Sequence, residues 1–163
     1  MSRRAVRIED AMAMVGTEVG VSEWRTVSQE MIDQFAAATD DHQFIHTDPD
    51  RAARETPYGG TTAHGFLTLS LLSTLIFEAV PTLEGTSMGM NFGFDRVRFM
   101  SPVKSGGRVR GRFLLAHMKV RPSGIVETHY DVTIEVENSV KPALTARWLT
   151  LALPAELPGQ SAA

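Results

Sequence analysis

His64-Gly65-Phe66-Leu67-Thr68-Leu69-Ser70-Leu71-Leu72-Ser73-Thr74-Leu75-Ile76-Phe77-Glu78-Ala79-Val80 is the stretch on which the fold turns. Wound as an α-helix, its Phe, Leu and Ile residues leave no clear polar face. A helix apolar nearly all round must be covered on most sides. With Thr68, Ser70, Ser73, Thr74 and Glu78 interspersed, it falls short of the ~20 apolar residues that cross a bilayer. The expectation is a core helix wrapped by the rest of the chain, with no membrane partner.

The sequence downstream of Pro81 supplies the wrapping. Met88 to Phe99 and Arg108 to Val120 read as strands, separated from the next by a turn at Arg121-Pro122-Ser123-Gly124. In the third, Val126, Thr128, Tyr130, Val132, Ile134 and Val136 share one parity. Glu127, His129, Asp131, Glu135 and Glu137 share the other. Strict alternation gives one buried and one wet face. Ala143 to Leu153 reads as a fourth strand. Helices first and antiparallel strands after make an α+β layout, a sheet curled around one helix. Such a sheet leaves edges, and dimerisation is one way to cover them.

Upstream, Ile8, Ala11, Met12 and Val15 predict a short amphipathic helix, and Trp24 to Val27 a short strand. Ser28 offers an N-cap for a helix that buries Met31, Ile32, Phe35, Ala36 and Ala38; such a cap contributes about 1 kcal/mol. Thr39 to Thr62 reads as a polar loop, apart from a turn of helix near Pro49–Glu55. One domain over residues 1–153 is expected, with 154–163 as a loose tail.

The chain has 163 residues, 16 Lys+Arg against 19 Asp+Glu, and a net charge of −3. That balance gives no general attraction to nucleic acid. The absence of cysteine excludes a disulfide scaffold, a thiol nucleophile and thiolate metal ligands. An acidic pair, Glu9-Asp10, falls where an export signal needs its apolar run, so a cytoplasmic protein is expected. Asp48-Pro49-Asp50 does not continue as a calcium loop, and no His-Glu-x-x-His is present, so no metal is expected.

The polar loop carries the chemistry. Asp41 and His46 sit five apart, and Ala63-His64-Gly65 opens the apolar helix. A carboxylate is ionised at neutral pH, and an unperturbed imidazole titrates near ~6.5, so the two together can take and give protons. Glycine at a helix start allows close approach to N–H groups that lack partners within the helix. The plain alternative for Asp41 and His46 is a loop hydrogen bond without chemistry. His64 is read as a structural residue bonding nearby backbone, His42 as solvent-facing or supporting, and His117 and His129 as structural.

Asp41-His42-Gln43-Phe44-Ile45-His46-Thr47-Asp48-Pro49, followed by Gly59-Gly60-Thr61-Thr62-Ala63-His64-Gly65-Phe66, resembles the MaoC-like hydratases, including their nodulation-protein-N-like branch. Met90-Asn91-Phe92-Gly93, Val97-Arg98-Phe99, Pro102-Val103 and Gly107-Arg108-Val109-Arg110 extend the likeness. The resemblance implies a hotdog fold, a homodimer, and (R)-specific hydration of a trans-2-enoyl-CoA without a cofactor. It implies that Asp41 and His46 hold the attacking water and that the Gly65 N–H binds the thioester oxygen. Relatives usually carry glycine before the catalytic aspartate, where this chain has Asp40; the spacing to His46 selects Asp41. Ser73 and Asn91 are expected at the substrate pocket, and Phe66, Leu69 and Phe92 along an acyl tunnel. Arg96, Arg98, Lys104, Arg108, Arg110 and Arg112 are candidates for the coenzyme A phosphates, although Arg108, Arg110 and Arg112 also read as a solvated strand face. Three competitors remain at this point: a thioesterase on the same fold, a non-catalytic acyl-thioester binding protein, and a 3-hydroxyacyl carrier-protein dehydratase that differs in carrier rather than in chemistry.

Overall fold

The structure is a computed structural model and describes residues 5–155. Most of the expected loose tail thus lies outside the described residues. Within them the last strand runs to Pro154, and the Ala155 N–H donates to the Gly85 carbonyl.

Among the described residues four helical elements precede the main helix. α1 (Ile8–Met12) buries Ala11, and α2 (Gln29–Thr39) buries Ile32 and Ala36. α2 starts where expected: the Ser28 hydroxyl accepts from the Met31 N–H. The loop that follows is more ordered than its polarity suggests. It contains α3 (Phe44–Thr47), which the sequence reading missed, and α4 (Pro49–Glu55), capped by the Asp48 carboxylate.

The long helix is two segments, α5 (Gly65–Ser70) and α6 (Leu72–Ala79). Leu71 joins them with right-handed helical dihedrals, and its carbonyl accepts from both the Thr74 and Leu75 N–H groups. Leu67, Leu72 and Leu75 are buried, yet Phe66 is 69% and Phe77 58% exposed. The protomer covers one side of this helix and leaves a phenylalanine at each end of the other.

The covering sheet is antiparallel. Its central strands are β6 (Arg108–Val120), β7 (Val126–Val136) and β8 (Leu144–Pro154). β5 (Thr86–Phe99) pairs with β8 and forms one edge. β2 (Glu18–Val21) and β3 (Arg25–Thr26) pair with β6 on the other side. β3 is shorter than the strand read at Trp24–Val27, and β2 was not foreseen. A small parallel pair, β1 (Ala5–Val6) with β4 (Thr82–Leu83), ties the chain start to the turn after α6. Among the described residues no helix is long and apolar enough to cross a membrane.

Alternation sorts the two sheet faces. Phe113, Tyr130, Val132, Ile134, Leu144, Ala146 and Trp148 point at the helix and are buried. The opposite face is an ion-pair lattice. Arg108 bonds Glu137 at 2.7 Å, Arg110 bonds Glu135 at 2.6 Å, and Arg112 bridges Glu135 at 3.1 Å and Glu18. Each arginine of this stripe is paired with a carboxylate, as a solvated strand face would have it. On the same face Glu127 bonds His129 at 2.8 Å and the Arg121 Nε at 2.8 Å, with Lys119 also beside it. These partners hold its carboxyl at a pKa of about 2.

One glycine shows how closely helix and sheet approach. A Cβ on Gly20, in β2, would lie inside the Ala79 carbonyl at the end of α6. A side chain there forces backbone apart, a change that costs roughly 1–3 kcal/mol in packed cores. Gly20→Ala is expected to lower the thermal midpoint by several degrees. Gly60→Ala, with nothing within 4 Å of the added carbon, should leave it near the parent value. Differential scanning calorimetry of the two variants checks this.

Candidate active site

His46 enters the site on the short helix α3, which is built by its own local bonds, including the His46 N–H to the Gln43 carbonyl at 2.9 Å. It is only 8% exposed, which for an imidazole demands a partner. The partner is the Thr62 carbonyl, 2.6 Å from Nδ1. A carbonyl can only accept, so Nδ1 carries the proton and Nε2 keeps a bare lone pair. Burial pushes the His46 pKa below its ordinary 6.5, and the neighbouring His64 pushes the same way; the Thr62 bond and Asp41 oppose them without prevailing. At neutral pH His46 is a neutral imidazole presenting a base.

The Thr62 strand is itself fixed. Its N–H donates to the Ile45 carbonyl at 2.9 Å, and the Ala63 N–H donates to Val103 at 2.7 Å. The segment therefore links the α3 loop to the sheet side and delivers His64-Gly65 to the start of α5.

Asp41 reaches the same place through a left-handed turn. Asp40 ends α2 at φ 58°, and both its N–H and that of Asp41 turn back to the Ala36 carbonyl. Such a position favours glycine, which explains why glycine is the residue expected there. The turn sends the two carboxylates apart. The Asp40 side chain is fully exposed, near His42 at 3.6 Å. Asp41 is half-buried and joins His46 and His64, with donor atoms of all three within 4.8 Å of one another. The structure thus places Asp41, and not Asp40, beside the histidines.

His64 is the third member, and the sequence reading undervalued it. It bonds backbone as expected, but the backbone is that of Asp41, with Nε2 donating to its carbonyl at 3.0 Å. Its ring stacks on His46 with centroids 3.7 Å apart and planes tilted by 25°, and Phe35 closes the other side at 5.0 Å. The three side chains have the composition of a metal site. Near-parallel rings, however, send their in-plane lone pairs side by side, whereas a cation needs them to converge. The arrangement suits a hydrogen-bonded water better than an ion.

Gly65 is the first residue of α5 and is exposed. A Cβ there would meet the Phe99 ring at 3.0 Å, so the position is held open by its lack of a side chain. Phe66 turns outward and meets Phe99 edge-on at 5.8 Å. Ser73 and Asn91 come together across a cavity of about 240 Å³ between α6 and the inner face of β5, β7 and β8. Phe66, Leu69 and Phe92 do not line it; Ile76, Phe77, Met90 and Leu151 do. Phe92 is the extra residue at the β5 register shift between Asn91 and Gly93. Arg98 lies away from the cavity and donates to its own neighbour's carbonyl, Val97, at 2.9 Å.

Sequence reasoning missed Gln29. Its amide donates to the His46 carbonyl at 2.7 Å and to Asp33 at 2.8 Å, while its Oε1 accepts from the Thr61 hydroxyl. One side chain thus clamps the loop carrying His46 to the strand carrying Thr62. Local periodicity contains no signal for this, because the partners lie 17 and 32 residues away.

The arrangement of these elements matches known proteins. The MaoC like domain family matches residues 10–137. Nodulation protein N of Rhizobium meliloti (strain 1021) is 54% identical over 147 residues, covering 90% of this chain and 91% of the relative. The 3-hydroxyacyl-thioester dehydratase Z of Mycobacterium tuberculosis (strain CDC 1551 / Oshkosh) is 44% identical over 139 residues, covering 85% and 91%. The solved (R)-hydratase from A. caviae involved in PHA biosynthesis superposes with a TM-score of 0.66 at 24% identity, covering 86% of this chain and 96% of that one. The fold is the hotdog fold, with the sheet wrapped on its helix. The chain belongs to the MaoC-like dehydratase family, and so to the hydro-lyases.

Gln29→Leu removes the clamp and keeps the volume. Turnover is expected to fall about tenfold or more as His46 loses its fixed position, with KM changing little. Steady-state kinetics of purified variant and parent separate the two constants. A raised KM with unchanged turnover would assign Gln29 to binding instead.

Proposed function

We propose that the protein is a cytoplasmic, cofactor-free hydratase of fatty-acyl metabolism. It adds water reversibly to trans-2-enoyl-CoA and yields (R)-3-hydroxyacyl-CoA. The observation that carries the reading is a neutral, buried His46 with a bare Nε2 and a ring nitrogen within 4.8 Å of the Asp41 carboxylate, next to the Gly65 helix start.

The chemistry follows from those groups. Asp41 accepts one hydrogen of a water molecule and orients it, and His46 Nε2 takes the other as the oxygen bonds to the β-carbon. Electron density moves through the conjugated system onto the thioester oxygen. The Gly65 N–H lies at a helix start, where unpaired donors and the positive dipole end favour that charge. The proton held by His46 then passes to the α-carbon. Because the two histidine rings and Asp41 lie on one side, water and proton arrive on the same face of the alkene. The dehydratase named among the relatives supports the reverse direction of the same reaction.

The acyl chain would run along α6 into the cavity lined by Ser73 and Asn91. With the arginine stripe tied to carboxylates, Lys104 and Arg98 are the better candidates for the coenzyme phosphates. Lys104 forms an isolated antiparallel bridge with Thr62, whose carbonyl holds His46.

Crotonyl-CoA tests the chemistry. Loss of its enoyl absorbance without release of free thiol is expected. Asp41→Asn and His46→Gln should each lower turnover by about 10²-fold or more, with folded far-ultraviolet spectra. Thiol release would make the protein a thioesterase, and binding without turnover would make it an acyl-thioester binding protein.

We also propose a homodimer, supported by β5. This edge strand exposes Met88, Met90, Phe92, Phe94 and Phe99, and the helix leaves Phe66 and Phe77 uncovered beside it. Light scattering at micromolar concentration should give twice the chain mass, and Phe92→Asp should shift it toward the monomer. A monomeric parent overturns the dimer.

A further inference from the structure

The cavity beside α6 sets polar groups among its apolar lining. Thr128 and Thr150 face each other across β7 and β8 with hydroxyl oxygens 2.6 Å apart. The Tyr130 ring lines the same wall. Two hydroxyls joined by one hydrogen bond retain one proton for a further acceptor. Thr128 and Trp148 are 4% and 3% exposed. The Trp148 indole N–H is buried and has no acceptor among the described residues. Ser73 and Asn91, on opposite walls, make no side-chain hydrogen bond to another described residue.

A saturated chain seated here would strip water from these groups and return nothing, which makes plain hydrocarbon a poor occupant. An oxygen-bearing chain would satisfy them. The lining contains no Lys, Arg or His, so a carboxylate would enter without a counter-charge. The depth of the site sets where the oxygen lies. Ser73 is eight residues beyond Gly65, roughly 12 Å along the helix, well past the end of a crotonyl group.

We propose that the enoyl thioester this protein accepts carries an uncharged oxygen function, a hydroxyl, ketone or ether, in the distal part of its acyl chain. The cavity binds that oxygen through Thr128, Thr150 and Asn91. This rests on the hydratase reading for the thioester end, and the test separates the two.

Binding of two unreactive saturated thioesters, decanoyl-CoA and its terminally hydroxylated analogue, is measured by calorimetry on the full chain. The hydroxylated ligand should bind at least tenfold more tightly. Thr128→Val with Thr150→Val should level the two affinities. Asn91→Ala, on an exposed edge strand, should narrow the gap and serves if the threonine pair fails to fold. Equal affinity, or tighter binding of decanoyl-CoA, overturns the proposal. Turnover of the matching decenoyl thioesters is read in parallel. A binding preference with no hydration would strike the hydratase reading and leave the cavity assignment standing.

Discussion

The hydrogen bond from His46 Nδ1 to the Thr62 carbonyl, 2.6 Å long, is the constraint around which the rest of the site is arranged. It fixes the tautomer, and with it which nitrogen faces the reactants. It also joins two pieces of chain that have no regular pairing of their own. The α3 loop supplies the donor, and the strand before α5 supplies the acceptor. Gln29 holds both ends, Ala63 anchors the strand to Val103, and His64 follows directly onto the face of His46. The buried imidazole is tolerated because every one of these contacts is made; removing the carbonyl would leave a buried donor unpaired.

Around that bond the fold divides its labour by face. The inner sheet surface is apolar toward the helix and turns polar only where the cavity opens. The outer surface carries the charges in mutually satisfied pairs, with Glu135 shared between two arginines and Glu127 among three cations and donors. The more exposed of these pairs, such as Arg108 with Glu137, add little stability each, median values being about 0–1 kcal/mol. Their clearer effect is to keep that face of the sheet unattractive to apolar partners, in contrast to β5 at the edge.

Much of this was legible in the sequence where a period or a cap carries the signal. The alternation of Val126 to Val136 named its own buried face, and the range Arg108–Val120 and the Ser28 cap came out as read. The five-residue spacing from Asp41 to His46 pointed to the carboxylate that lies beside the histidines. What escaped was set by contacts through space. α3 is one turn long and too short to show a period. The solvent side of the α5–α6 helix looked buried because hydropathy does not say which neighbour covers it. The arginine stripe looked free because its carboxylates lie on other strands. His64 looked like a helix-start residue, since nothing within its own segment shows a second imidazole stacked upon it.

β5 has a further consequence. Both its faces and its outer edge offer apolar surface, and Phe99 at its end is the ring that borders Gly65. A second copy seated on this strand, as the proposed homodimer has it, would bind the folded state and not the unfolded one, and so would stabilise the fold by mass action. The stability of the chain, and the setting of the helix start next to the site, are then functions of concentration as well as of sequence.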